Sequence, residues 1–191
     1  MSAARQVRRC FTLLLTAFVL FTAGAWLWSV PAVRALPETF RLSRMPVRLE
    51  LPVPVEGVRA DRISDTWGAE RSSGRSHQGV DIFAERGTPV LSGTRGVVAR
   101  IGNRGLGGKQ VWVVGPGGER HYYAHLDDWA SGLHVWQRVQ PGDLLGFVGN
   151  TGSARGTPPH LHYGIYARGG ALNPHPRLAT SPANPVFTAP R

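Results

Sequence analysis

The chain of 191 residues carries a formal net charge of +10, almost wholly from arginine because Lys109 is the only lysine. Its length suits one domain plus an anchor or tail, and its ordinary apolar content with many glycines, prolines and tryptophans excludes a disordered polymer. The single cysteine, Cys10, lies in an N-terminal apolar segment, so the body has no disulfide and any metal there must be held by His, Asp or Glu. The charge favours an anionic partner, but no arginine run interleaved with aromatics occurs in the body, which argues against nucleic acid.

Arg5, Arg8 and Arg9 precede an uncharged apolar run from Phe11 to about Val33, the pattern of an export signal. The part from Phe11 to Val30 is long enough to cross a bilayer as one helix, while Ala23-Gly24-Ala25 and Val33-Arg34-Ala35 offer cleavage sites. A cleaved signal peptide and an uncleaved inner-membrane anchor at residues 11–30 both stay open, the length favouring the anchor. Either way residues 1–35 form a separate segment, and the body is expected in the cell envelope outside the cytoplasm.

Residues 36–53 are spaced by Pro37, Pro46 and Pro52 and read as an extended lead-in that ends in an edge strand near Val55. From residue 54 to 174, short runs of β-type residues alternate with Gly- and Pro-containing turns about every ten residues, without helical periodicity. The expected fold class is all-β, a compact antiparallel or sandwich-like sheet with an open groove, preceded by the N-terminal apolar helix. Ala69 to Ser76 reads as an exposed polar loop able to line a cleft. Gly102 to Lys109 is rich in glycine but leads into the strand Gln110-Val111-Trp112-Val113-Val114, so a hairpin explains it better than a phosphate loop. Residues 175–191 read as a flexible tail.

Three stretches carry chemistry. In Pro159-His160-Leu161-His162-Tyr163, prolines ahead and β-formers behind favour a strand, on which His160 and His162 share one face and Leu161 takes the other. His77 and Asp81, in His77-Gln78-Gly79-Val80-Asp81, fall on one side of an extended segment and are ligand types suited to zinc. In Arg120-His121-Tyr122-Tyr123-Ala124-His125, strict alternation places His121, Tyr123 and His125 on one face, a site or solvent face rather than core. His121 then belongs to a groove rim, and His134 and His175 to solvated surface. An open catalytic zinc site needs three protein ligands and a water, with a general base or oxyanion partner nearby. His77, Asp81, His125, His160 and His162 supply that number of groups.

The segments Ser76-His77-Gln78-Gly79-Val80-Asp81, Tyr123-Ala124-His125-Leu126 and Pro159-His160-Leu161-His162-Tyr163-Gly164 resemble, in order, the signatures of lysostaphin-type (LytM-like) peptidoglycan metallopeptidases. Gly87-Thr88-Pro89-Val90 and Val148-Gly149-Asn150-Thr151-Gly152 are similar to the family's linking pieces. The resemblance implies that His77, Asp81 and His162 bind Zn2+ and that His125 and His160 are catalytic. It implies a zinc metalloendopeptidase that cuts stem or cross-link peptides of bacterial cell wall. The alternative is a non-catalytic peptidoglycan-binding or regulatory module with a structural zinc, as in relatives that have lost ligands; here all five positions are filled. Some relatives place an oxyanion-binding tyrosine before the first histidine. No tyrosine stands between Arg59 and His77, where Trp67 is the expected groove-wall aromatic.

Overall fold

The structure is a computed structural model that describes residues 3–71 and 74–180. It divides into two units, Met1–Pro37 and Glu38–Arg191. Helix α1 (Ala3–Ser29) includes Phe11–Ser29, a stretch long and apolar enough to cross a membrane. Helix α2 (Pro31–Arg44) comes next.

The second unit is mostly β. Its strands are β1 (Glu70–Arg71), β2 (Arg75–Ser76), β3 (Val80–Phe83), β4 (Pro89–Leu91), β5 (Gly96–Arg104), β6 (Gly108–Val114), β7 (Arg120–Leu126), β8 (Asp128–Trp129), β9 (Arg138–Val139), β10 (Leu144–Phe147), β11 (His160–Ala167) and β12 (Gly170–Leu172). A short helix, α3 (His175–Ala179), closes the described chain. The main curled antiparallel sheet runs β12-β11-β7-β6-β5-β9, with β3 paired to the first half of β11. β4, β10 and β8 form a smaller sheet, and β1 with β2 a hairpin.

Alternation builds the core. Val111 and Val113 of β6 point inward, as do Val80 and Ile82 of β3 and Leu161, Tyr163 and Ile165 of β11, all essentially inaccessible to solvent. Burial of each such side chain contributes about 1.5–3 kcal/mol. The intervening residues of β3, β6 and β11 face the opposite way and make the floor of a groove. In the central register, Asp81 opposes His162, and His162 opposes Ala124.

Three segments depart from the sequence expectation. The lead-in is helical as far as Arg44, because Pro31 sits at the first helical position, where no N–H is needed, and Ala, Leu and Arg fill much of the remaining helix. Only its end is extended, where Val55 bridges Val90. The tail does not begin at residue 175: Leu178 is fully buried, and Arg177 makes a bidentate pair with the buried Glu119 at 2.7 and 3.0 Å. Residues 181–191 of the expected tail lie outside the described residues. Within the polar loop, the described residues form the β1–β2 hairpin.

The third departure concerns β7. His121 and Tyr123 are core residues, not a polar face; His121 is 1% exposed and its Nδ1 lies 2.7 Å from the Tyr163 hydroxyl. Tyr122 and Ala124 face the groove instead. Between Val111↔Tyr123 and Lys109↔Leu126, β7 uses one more residue than β6, which is a β-bulge. His125 sits in it with φ 64°. The extra residue resets the phase and brings His125 round to the groove side.

Candidate active site

The groove encloses about 650 Å³ and has the histidine cluster on its floor. His77 Nε2 lies 2.8 Å from His162 Nδ1 and 3.1 Å from Asp81 Oδ1, and His162 Nδ1 lies 3.2 Å from the same oxygen. These ligand atoms all fall within 4.8 Å of one another. Two imidazole nitrogens and a carboxylate oxygen form a donor set that suits a first-row divalent metal.

Each member is held by an element that sequence and backbone explain. His162 is fixed by its rung between Asp81 and Ala124. Gly79 is needed beside it: a Cβ there would stand 2.6 Å from the Tyr163 carbonyl oxygen and 2.7 Å from the His162 ring. His77 precedes β3, and its Nδ1 faces the Thr66 carbonyl at 2.7 Å. A carbonyl only accepts, so Nδ1 carries the proton and Nε2 keeps its lone pair for the cluster. The Thr66 hydroxyl also accepts from the Asp81 backbone N–H at 3.1 Å. The Thr66 loop is itself pinned by Asn173, which donates to Asp65 at 3.1 Å, while His175 Nε2 meets the Ile63 carbonyl at 3.0 Å. His175 is thus half-buried and bonded, not solvated; His134 is exposed as expected.

Asp81 divides its carboxylate. Oδ1 faces the histidines, and Oδ2 pairs with the Arg71 guanidinium. Burial alone would raise its pKa, but close contacts with His162, His77 and the Arg71 guanidinium together hold it well below the usual carboxylate range. The group stays ionised as a ligand must.

His125 and His160 stand next to this cluster. Their rings meet edge to face with centroids 5.1 Å apart, and His125 lies 5.8 Å from His162 in the same manner. His160 Nε2 is 3.9 Å from Asp81 Oδ1. His125 Nδ1 donates to the Thr151 carbonyl at 2.8 Å and His160 Nδ1 to the Pro158 carbonyl at 2.9 Å. Both rings are therefore oriented by backbone, each with Nε2 left over. Burial, followed by the nearby His162 and His160, lowers the His125 pKa to about 4, so it is neutral at physiological pH.

The five residues singled out from the sequence thus come together. What the sequence reading missed is the groove wall. Trp112 stacks on Tyr122 with centroids 4.3 Å apart, and Tyr166 leans on Trp112 at 5.4 Å. Trp67 is not among the lining residues. Alternation along β6 carried the signal for Trp112, since Val111 and Val113 claim the core. For Tyr122 there was none, because the neighbouring Tyr123 is an equally good core residue. Arg71 and Arg75 also line the groove.

Comparison with known proteins agrees with this arrangement. Residues 75–174 match the family described as peptidase family M23. The chain is 38% identical over 138 residues to the L-Ala–D-Glu endopeptidase of Bacillus subtilis (strain 168), covering 66% of this chain and 42% of that protein. It spans less than half the length of the curated relatives it matches. Among solved structures, Helicobacter pylori Csd3 superposes with a TM-score of 0.57 at 31% identity, covering 72% of this chain and 36% of that one. The catalytic domain of lysostaphin from Staphylococcus simulans gives 0.54 at 29% identity, covering 60% of this chain and 90% of that domain. A family match that spans His77, Asp81, His125, His160 and His162, on a shared curled sheet, makes this chain a member of peptidase family M23.

Proposed function

We propose that the chain is a zinc-dependent endopeptidase hydrolysing peptide bonds in the stem or cross-link peptides of bacterial peptidoglycan. The observation that carries this reading is the convergence of His77 Nε2, Asp81 Oδ1 and His162 Nδ1 in one open groove, with backbone-oriented His125 also lining it and backbone-oriented His160 buried against His125 and Asp81. Relatives named as an L-Ala–D-Glu endopeptidase and a glycyl-glycine endopeptidase support the substrate class.

His77, Asp81 and His162 would hold the zinc. When bound, it would polarise the scissile carbonyl and lower the pKa of its water towards ~7. The protein's own contribution lies with His125 and His160. Each has its Nδ1–H committed to a carbonyl, so each can take a proton only at Nε2. A neutral His125 is ready to accept one at pH 7. The imidazolium so formed can stabilise negative charge and return the proton to the leaving amine. The aromatic wall of Trp112, Tyr122 and Tyr166 bounds the groove in which the peptide would lie.

We further assign the catalytic unit to residues 54–174, braced by α3, and the helix Phe11–Ser29 to a signal or inner-membrane anchor that places the groove outside the cytoplasm. The test is direct. Detergent-solubilised chain loaded with zinc should release peptides from purified sacculi, identified by mass spectrometry, and His160→Ala should not. A chain that binds zinc but cuts no bond in any sacculus preparation would instead be a binding or regulatory module.

A further inference from the structure

The β1–β2 hairpin brings two arginines to the groove, and the site described so far uses only one. Arg71 and Arg75 are cross-strand partners, so their side chains stand on one face of the hairpin, and both line the groove. Like charges directly opposite each other destabilise a ribbon, and two-residue strands offer little pairing to offset that. Arg71 is neutralised by Asp81. The Arg75 side chain is exposed, and no hydrogen bond or ion pair joins its guanidinium to any described residue.

Nothing else in the groove supplies the missing negative charge. Asp81 is the only acidic residue among the lining, and it is already engaged by Arg71, His77 and His162. Burial raises the pKa of both Tyr122, to about 12, and Tyr166, so the aromatic wall stays neutral. Among the described lining residues, and leaving aside any bound metal, the protein itself therefore carries one unbalanced cation, on a planar fork suited to a carboxylate.

We propose that Arg75 is a specificity-determining residue that pairs with a free carboxylate of the peptide in the groove. The substrate class is then an acidic stem-type peptide, not a neutral oligoglycine bridge. This rests on the peptidase reading for its meaning, but its physical content is a binding preference that can be measured separately.

The experiment uses two labelled synthetic peptides that differ only in one glutamyl α-carboxyl group, free in one and amidated in the other. Binding is followed by fluorescence anisotropy on the full chain in detergent, treated with chelator so that nothing is turned over. The wild type should bind the free acid roughly ten- to a hundredfold more tightly, the range for one charge-assisted hydrogen bond. Arg75→Ala should abolish the preference and Arg75→Lys should keep part of it. Equal binding of the two peptides, no binding of either, or a preference that survives Arg75→Ala overturns the proposal. Cleavage of the same peptides by the zinc-loaded chain is scored apart. No cleavage with the binding preference intact counts against the peptidase reading alone, and cleavage without preference counts against Arg75 alone.

Discussion

β7 and β11 lie side by side, and both bring histidine to the groove, yet they do it by opposite means. β11 keeps the period of two: His160 and His162 stand on the side of Asp81 and His125 while Leu161, Tyr163 and Ile165 fill the core. β7 keeps that period only as far as Ala124. His121 and Tyr123 fall in the core, Tyr122 and Ala124 in the groove, and the bulge then turns His125 to the groove as well. An unbroken ladder lets sequence spacing predict facing; a ladder with one inserted residue does not. The left-handed backbone at His125 costs on the order of 1 kcal/mol, which the surrounding pairings must hold in place.

The strongest way to break the comparison is to remove a group on the rung that crosses the strands. Asp81→Ala should lower cleavage of sacculi by more than about a hundredfold, with the bound metal lost on dialysis, as atomic absorption would show. His125→Ala and His160→Ala should each cost about 10²–10⁴ in rate while the metal content stays normal. If either variant loses its metal, its place outside the ligand set is wrong.

Next in size is the core side of the regular strand. Leu161→Ala should destabilise the fold by about 2–5 kcal/mol in urea unfolding. A smaller effect discriminates the strands most sharply. At position 125, glycine should be more stable than valine by about 1–3 kcal/mol, because a β-branched residue resists φ 64°. At position 160 the order should reverse by about 1 kcal/mol, because there the backbone is ordinary strand. The same order at both sites would mean that the bulge is absent in solution.

The mildest test uses pH. Burial, and then the charge of Arg177, holds buried His121 neutral by pushing its pKa from 6.5 down to about 3. Unfolded chain binds that proton below about pH 6.5 and folded chain does not, so unfolding gains. Stability is therefore unaffected by this group above pH 6.5 and falls as pH drops from there towards 3. Urea midpoints at pH 7 and 5 should differ less in His121→Gln than in the wild type.

The same contrast decides how much of the molecule was legible in the sequence. His160 and His162 could be placed because two prolines exclude a helix and β-formers come after them. His77 and Asp81 could be paired with them by motif. The core position of His121 was hidden, because the bulge that uncouples it from His125 leaves no mark in Arg120-His121-Tyr122-Tyr123-Ala124-His125 itself. The α2 helix was hidden by Pro37, which lies inside it, at a position where a proline ordinarily ends or kinks a helix. Docking of α3 depends on Glu119 meeting Arg177, a contact between distant residues that no local pattern announces. Arg71 and Arg75 looked like loop polarity until their cross-strand register placed both in the groove.

The position of β11 in the chain sets a schedule. It is the last site-bearing strand to be synthesised, it lies between β3 and β7, and the ligands it unites with His77 stand 85 residues apart. While the chain is still growing, His77, Asp81 and His125 exist as separate groups with no third ligand to close around. An interrupted translation product therefore has no assembled centre and nothing to cut with. In the proposed enzyme, hydrolytic power would arrive only with β11, so the order of synthesis itself would work as a safety catch.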